Sequence, residues 1–229
     1  MGKIEVVSTK DSMGTDTTRL VLVRHGETVW NLERRMQGHL DSELTASGRA
    51  QATALAETLK RFVPHAVYCS DLGRALETAN VIATVCGLRV TQHAGLRERA
   101  LGVLEGLTQP EAETRAPQAW LGFTQGGPDF VIPGGESARQ RFDRNLAALG
   151  EIAARHPGAC VVVVAHGGTL NTAFRACTGM PLDSPRTFAL PNAGINVIDC
   201  VAGRWRLVTW GEVSHLEPLD SSRDTAPRR

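Results

Sequence analysis

Two histidines of this 229-residue chain stand in the same setting. His25 follows the apolar run 20–23 and Arg24 and is succeeded by Gly26; His166 follows the run 160–165 and is succeeded by Gly167 and Gly168. Short runs rich in branched residues, cut off this sharply, read as strands buried on both faces. The carboxyl ends of such strands are where open α/β sheets bind ligands. One histidine at a strand end is commonplace, and a surface loop is the plain explanation for it; two built alike are much less so. A neutral imidazole is a competent nucleophile at physiological pH, and the guanidinium of Arg24 is suited to gripping phosphate oxygens in pairs. Histidine beside arginine points to phosphoryl transfer, in which positioning and positive charge supply most of the catalysis.

Arg74 and Glu98 extend this set. The segment Ser70-Asp71-Leu72-Gly73-Arg74 follows the short run 66–69, and Ser70 or Asp71 is placed to cap a helix reaching about Val85. Arg74 then falls in the first turn, where the helix dipole disfavours a cation unless an anion binds there too. Glu98 lies between Arg97 and Arg99. It is either part of a solvated ion-pair cluster, worth little, or a carboxyl group poised over a leaving oxygen. With all five at one pole of a sheet, His25 attacks phosphorus and becomes a phosphohistidine, while Arg24, Arg74 and His166 hold the oxygens. Glu98 gives a proton to the departing alcohol and takes one from water in the second step. That requires its pKa to rise when the substrate's negative charge enters. The scheme uses no metal and no cofactor. The seven histidines form no H-E-x-x-H and no zinc-spaced Cys/His group, and no nucleotide-binding glycine motif is present.

The elements that must position these groups follow from pattern. Thr45 is placed to cap a helix running to Lys60, with Gly48 serving close packing, and Pro64 blocks continuation. Further strands are expected at 88–91, 193–200 and 205–210, the last two joined at Ala202-Gly203 as a hairpin. Helices are expected from Ser137 to about Ala154 and from Thr169 to about Cys177. The stretch 120–132, rich in tryptophan, phenylalanine, glycine and proline, is equally well a lid or wall over a pocket or an ordinary packed loop. The order fits one three-layer α/β/α sandwich over residues 19–219, with a mixed, mainly parallel sheet. Residues 1–18 and 220–229 read as loose polar tails.

Composition is compatible with this. Hydrophobic residues make up 42% of the chain, enough for a sizeable core, and a net charge of +1 gives no global attraction to nucleic acid or membrane. Five cysteines with no C-x-x-C pair read as reduced residues of a cytoplasmic protein. No run has the length of a membrane span or the pattern of a secretory signal.

Arg24-His25-Gly26-Glu27-Thr28 with Asn31 resembles the signature of the histidine phosphatase superfamily, in its phosphoglycerate mutase-like branch. Ser70-Asp71-Leu72-Gly73-Arg74-Ala75, Leu96-Arg97-Glu98 with Gly102 and Gly106, Gly135-Glu136-Ser137 and His166-Gly167-Gly168 match in order, from about residue 19 to 216. The resemblance implies the phosphoglycerate mutase-like fold, His25 as nucleophile, Arg24, Arg74 and His166 as phosphate pocket, and Glu98 as proton donor. It also implies Asn31, Thr28, Gln37, Gly38 and Gly167 near the bound phosphate or substrate.

Mutases of this branch resemble Glu-Arg-His-Tyr-Gly followed by Gly-Leu-Asn-Lys, and then carry paired arginines for the substrate carboxylate. This chain reads Glu98-Arg99-Ala100-Leu101-Gly102, then Gly106-Leu107-Thr108-Gln109, with Arg115 as the single basic residue between Pro110 and Gly127. The missing counter-charges amount to several charge-assisted hydrogen bonds of about 1.5–3 kcal/mol each. The expectation is therefore a phosphatase acting on small phosphomonoesters. A mutase comes second, and a non-catalytic phospho-ligand-binding module, which would have no need of Glu98, third. The aromatic segment points to a less polar substrate. The edge of the hairpin is where a homodimer would pair.

Overall fold

A computed structural model describes residues 17–217. Six strands form one sheet in the order β3-β2-β4-β1-β5-β6. The strands β1 (Thr17–Arg24), β2 (Ala66–Cys69), β3 (Val90–Gln92) and β4 (Cys160–Ala165) are mutually parallel. The hairpin of β5 (Ile195–Val201) and β6 (Arg204–Glu212) joins antiparallel along β1. The sheet is mixed and mainly parallel, as the pattern implies.

Side-chain alternation creates the three layers. Val21, Val23, Val162 and Val164 pack with Leu55, Ala56 and Leu59 of helix α2 (Ala46–Leu59) and with Ala75, Ala79 and Ile82 of α3 (Gly73–Cys86). The intervening Leu20, Leu22, Val161 and Val163 pack on the other face with Leu149 and Ile152 of α6 (Ala138–Arg155) and Leu170 and Ala173 of α7 (Gly167–Thr178). Strands buried on both faces read as unbroken apolar runs, and β4 is buried along its whole length.

Several boundaries differ from the sequence expectation. β1 begins at Thr17, so Thr17 and Thr18 are strand rather than tail. They pair with Val201 and Cys200, and the Thr18 hydroxyl donates to the carbonyls of Ala153 and His156. The remaining tail residues, 1–16 and 218–229, lie outside the described residues. The third strand sits at 90–92 rather than 88–91, and α7 starts two residues before Thr169. The expected cap of α3 is corrected. Its N-cap is Leu72, and the N–H groups of Gly73 and Arg74 donate instead to the carboxylate of Asp41, from a distant loop. Asp71 is occupied by Arg97.

The stretch 120–132 is packed structure. The short helices α4 (Gln109–Arg115) and α5 (Pro117–Gln125) close a satellite core of Leu101, Leu104, Ala112, Ala119 and Ile132, against which Trp120, Phe123 and Phe130 lie. The five cysteines are free thiols, with Cys69 and Cys160 buried. No helix among the described residues is long and apolar enough to cross a membrane.

Helix α2 butts end-on against the loop that follows β1. Thr45 caps it by accepting from the N–H of Gly48, and Gln51 Oε1 accepts from the N–H of Glu27. A methyl group on Gly48 would overlap the carbonyl of Glu27, and one on Gly26 would come within 2.5 Å of the carbonyl of Gly48. Gly48→Ala is therefore expected to lower stability by about 1–3 kcal/mol through overpacking, read as a fall in the denaturant midpoint at constant slope. A change within about 0.5 kcal/mol, typical of surface positions, would contradict this close approach.

Candidate active site

Register builds the site. Arg24 is paired with Ala165 across β1 and β4, and the N–H of His25 donates to the carbonyl of Ala165 at 3.0 Å. The next residues, His25 and His166, therefore leave the sheet side by side, with ring centroids 5.3 Å apart. On the other side of β4, Cys69 of β2 is paired with Val164, and the chain then enters α3 with Arg74 in its first turn. Three adjacent strand ends thus deliver two imidazoles and two guanidiniums, all buried.

The Nδ1 atom of His25 lies 2.8 Å from the carbonyl of Gly26. A carbonyl only accepts, so Nδ1 carries the proton and Nε2 keeps its lone pair. Neither ring nitrogen of His166 has a hydrogen-bond partner, although both are buried. Burial, Arg74 and Arg24 push the pKa of His25 well below the ordinary value, against the lift from the Gly26 carbonyl. Burial, Arg74, His25, Arg24 and His39 do the same to His166. Both rings are neutral at physiological pH.

Arg74 is held by its two terminal nitrogens. Nη1 donates to the carbonyl of Leu40 and to Asp41 Oδ1, each at 2.8 Å, and Nη2 donates to the carbonyl of Gly38 at 2.9 Å. Its Nε is buried without a partner. Arg24 Nη1 donates to the carbonyl of Leu190. Glu98 arrives from the loop after β3. Its Oε1 accepts from the N–H of Arg99 at 2.8 Å and its Oε2 from the N–H of Gly168, in the first turn of α7, at 3.0 Å. Burial raises the pKa of Glu98, but Arg141, these two N–H groups and Arg74 together outweigh it and hold the carboxyl below its ordinary value. A methyl group at Gly167 would come within 3.8 Å of Glu98 Oε2 and 3.9 Å of Arg24 Nε, so Gly167 lies between these groups.

Arg24, His25, Arg74, Glu98, His166 and Gly167 are thus brought together. Thr28, Asn31 and Gln37 stand one layer behind, as a network under the His25–Gly26 loop. Thr28 Oγ1 donates to Asn31 Oδ1 and accepts from Gln37 Nε2 at 2.8 Å. It also caps the one-turn helix α1 (Val29–Leu32). Asn31 Oδ1 is taken up by Thr28 and Asn192, so its amide nitrogen is the part left for a ligand. Gly38 has φ +56° and turns its carbonyl to Arg74.

Sequence reasoning missed His39, Asp41, Arg141 and Asn192. His39 Nε2 lies 2.9 Å from the carbonyl of Glu98. Asn192 donates to the carbonyls of His25 and Gly26, fixing the loop. Each works through a main-chain group or a distant partner, and no local motif marks that. Asp41 is the partial exception: the dipole argument calls for an anion at the start of α3, and its carboxylate is that anion. No group of three or more His, Cys, Asp or Glu side chains among the described residues is arranged to hold a metal ion.

The buried neutral imidazoles have a consequence for stability. The unfolded chain takes up a proton on each histidine as pH falls through about 6.5, where the folded chain does not. Their folded pKa values are depressed, so stability is full above that pH and drains away below it. Each contributes a slope of up to about 1.4 kcal/mol per pH unit between that point and its lower folded pKa. His166→Gln is expected to flatten the fall in unfolding free energy between pH 6.5 and 5. Parallel curves for the two proteins would show that His166 is not buried neutral.

Known proteins share this arrangement of elements. The model for the histidine phosphatase superfamily, branch 1, matches residues 20–213. Phosphoglycerate mutase-like protein 4 of Arabidopsis thaliana is 42% identical over 212 residues, covering 90% of each chain. A metal-independent phosphoserine phosphatase of the same plant is 42% identical over 208 residues, 90% of this chain and 86% of that one. Among solved structures, a mycobacterial glucosyl-3-phosphoglycerate phosphatase is 35% identical with a TM-score of 0.73, over 85% of this chain and 99% of that one. With strand register, buried histidine pair and matched length in agreement, the chain belongs to branch 1 of the histidine phosphatase superfamily.

Proposed function

We propose that this chain is a phosphatase that hydrolyses small phosphomonoesters through a phosphohistidine on His25, without a metal. The observation that carries the reading is the His25 ring itself: Nδ1 is tied to the Gly26 carbonyl, which leaves Nε2 unprotonated beside two guanidiniums. In the first step Nε2 forms a bond to phosphorus, the ester P–O bond breaks, and Glu98 gives its proton to the leaving oxygen. Arg24, Arg74 and His166 hold the phosphoryl oxygens, and the partnerless N–H of the His166 ring and Nε of Arg74 are suited to that. In the second step water attacks phosphorus, Glu98 takes the water's proton, and the P–N electron pair returns to Nε2. Thr28, Gln37 and Gly38 shape the loops around the phosphate, and Asn31 offers it an amide N–H.

The phosphatase reading over the mutase reading rests on where the alternative residues go. Leu101, at the position of the mutase tyrosine, is buried in the satellite core. Gln109, at the position of the mutase lysine, is exposed and bonded to Glu113, and Arg115 is exposed. Arg97 is taken by Asp71, and Arg99 by the carbonyls of Glu136 and Phe130. A phosphoserine phosphatase and a glucosyl-3-phosphoglycerate phosphatase among the relatives support small phosphorylated substrates. We read the chain from Thr17 onward as one catalytic domain of a cytoplasmic protein, with the β6 edge as the place where a homodimer would form.

A phosphomonoester screen with the wild type and His25→Ala tests the reading. Turnover is expected to fall at least about a thousandfold in the variant, and chelators are expected to leave the wild type unaffected. Retained activity without the imidazole, or loss of activity on chelation, overturns the mechanism. Efficient bisphosphate-dependent conversion of 3- to 2-phosphoglycerate, with little hydrolysis, overturns the assignment as a phosphatase.

A further inference from the structure

The scheme above leaves one buried charge unused. Arg141 lies in the first turns of α6, and only 5% of it is exposed. Its Nη1 donates to the carbonyl of Gly168, and its Nε is buried without a partner. A guanidinium is rarely buried so sparsely bonded unless an anion stands nearby. The anion here is Glu98. A methyl group at Gly168 would overlap Glu98 Oε1 and come within 2.7 Å of Arg141 Nη1 and 2.9 Å of its Cδ. Carboxylate and guanidinium therefore share the space over one glycine.

Other charged or titratable groups also face Glu98. Arg74 reaches it from α3 and Arg99 from its own loop, and Arg24 Nε lies near it over Gly167. His39 and Arg144 Nη2 contact its main-chain carbonyl rather than its carboxylate. Glu136, the next anion, is paired with Arg144. Among these, Arg141 exerts the largest pull toward the ionised form, and burial is what opposes it.

We propose that Arg141 is a positioning residue that keeps Glu98 a carboxylate over Gly168 before substrate arrives, so that Glu98 becomes a proton donor only once a phosphomonoester brings competing negative charge. The inference rests on the proton-donor role given to Glu98. The proton arrives from water, or on the acidic oxygen of a phosphomonoester monoanion. It resides on a Glu98 oxygen and departs with the alcohol when the ester P–O bond breaks. After departure Arg141 again favours the carboxylate, the form that accepts the proton of the attacking water.

The test is the pH dependence of kcat/KM, which reports the acid of the free enzyme, measured on an alkyl phosphomonoester and on p-nitrophenyl phosphate. An alkoxide needs a proton to leave, and nitrophenolate does not. Glu98→Gln is expected to slow the alkyl ester at least about a hundredfold more than the aryl one. Arg141→Met is expected to move the alkaline limb of the alkyl profile to higher pH, raising the rate there about three- to tenfold. Arg141→Gln, which keeps a donor for Gly168 but loses the charge, gives the same displacement, and Arg141→Lys returns the limb toward the wild type. In the Glu98→Gln background the displacement vanishes. A limb that stays in place in Arg141→Met and Arg141→Gln, with activity changed by one factor at every pH or with KM alone raised, overturns the proposal. If Glu98→Gln slows both esters equally, the donor role itself fails, and that outcome is read without any Arg141 variant.

Discussion

Four groups that carry or can take positive charge crowd the ends of three neighbouring strands, and their mutual repulsion in a water-poor site is the constraint to which the surrounding structure answers. Two buried guanidiniums and two imidazolium ions could not coexist there without strong anions. The fold settles this in two ways. The imidazoles stay neutral, as burial and the arginines require. The guanidiniums are satisfied from behind, Arg74 by Asp41 and two carbonyls and Arg24 by the carbonyl of Leu190. In the proposed scheme a phosphoryl group supplies the negative charge that the two guanidiniums share.

That arrangement explains why so many supporting residues act on the backbone. The Gly38–Asp41 loop gives Arg74 carbonyls and a carboxylate, while Glu105 Oε1 holds the same loop by accepting from the N–H of His39 and of Leu101. Arg144 gathers the carbonyls of Gly95, Arg97 and Glu98 and pairs with Glu136, which fixes the loop that carries Glu98. The catalytic set of the proposed scheme is small because the work of positioning is spread over loops far apart in sequence.

The division between what was legible in the sequence and what was not follows the same line. The buried strands announced themselves as apolar runs, and the equivalence of the β1 and β4 ends followed from two histidines in matching contexts. Thr45 was readable as a cap, and it accepts from a backbone N–H three residues on. The cap of α3 was misread because Ser70 and Asp71 offer the right chemistry locally, whereas a distant Asp41 wins the helix end and leaves Asp71 to Arg97. Arg141 was invisible for a related reason. In sequence it is one more cation in a charged helix, and only the packing of α6 against α7 brings it over Gly168 beside Glu98. The stretch 120–132 could not be resolved because aromatic residues among glycines and prolines serve a lid and a small core equally well, and the choice depends on what lies beneath.

The role proposed for Glu98 would let charge alone organise a two-step reaction. A donor must hold a proton at the start, yet the guanidiniums and N–H groups around Glu98 favour its carboxylate form. In the proposed scheme a bound phosphomonoester reverses that balance, because its own negative charge is compensated by the same guanidiniums and weakens their hold on Glu98. Once the alcohol has gone, Glu98 is again a carboxylate beside a phosphorylated histidine, which is the state needed to accept a proton from water. In the proposed scheme one side chain is acid and then base without any conformational change, and the substrate's charge sets which role it plays. In that scheme the switch between the two roles comes from electrostatics.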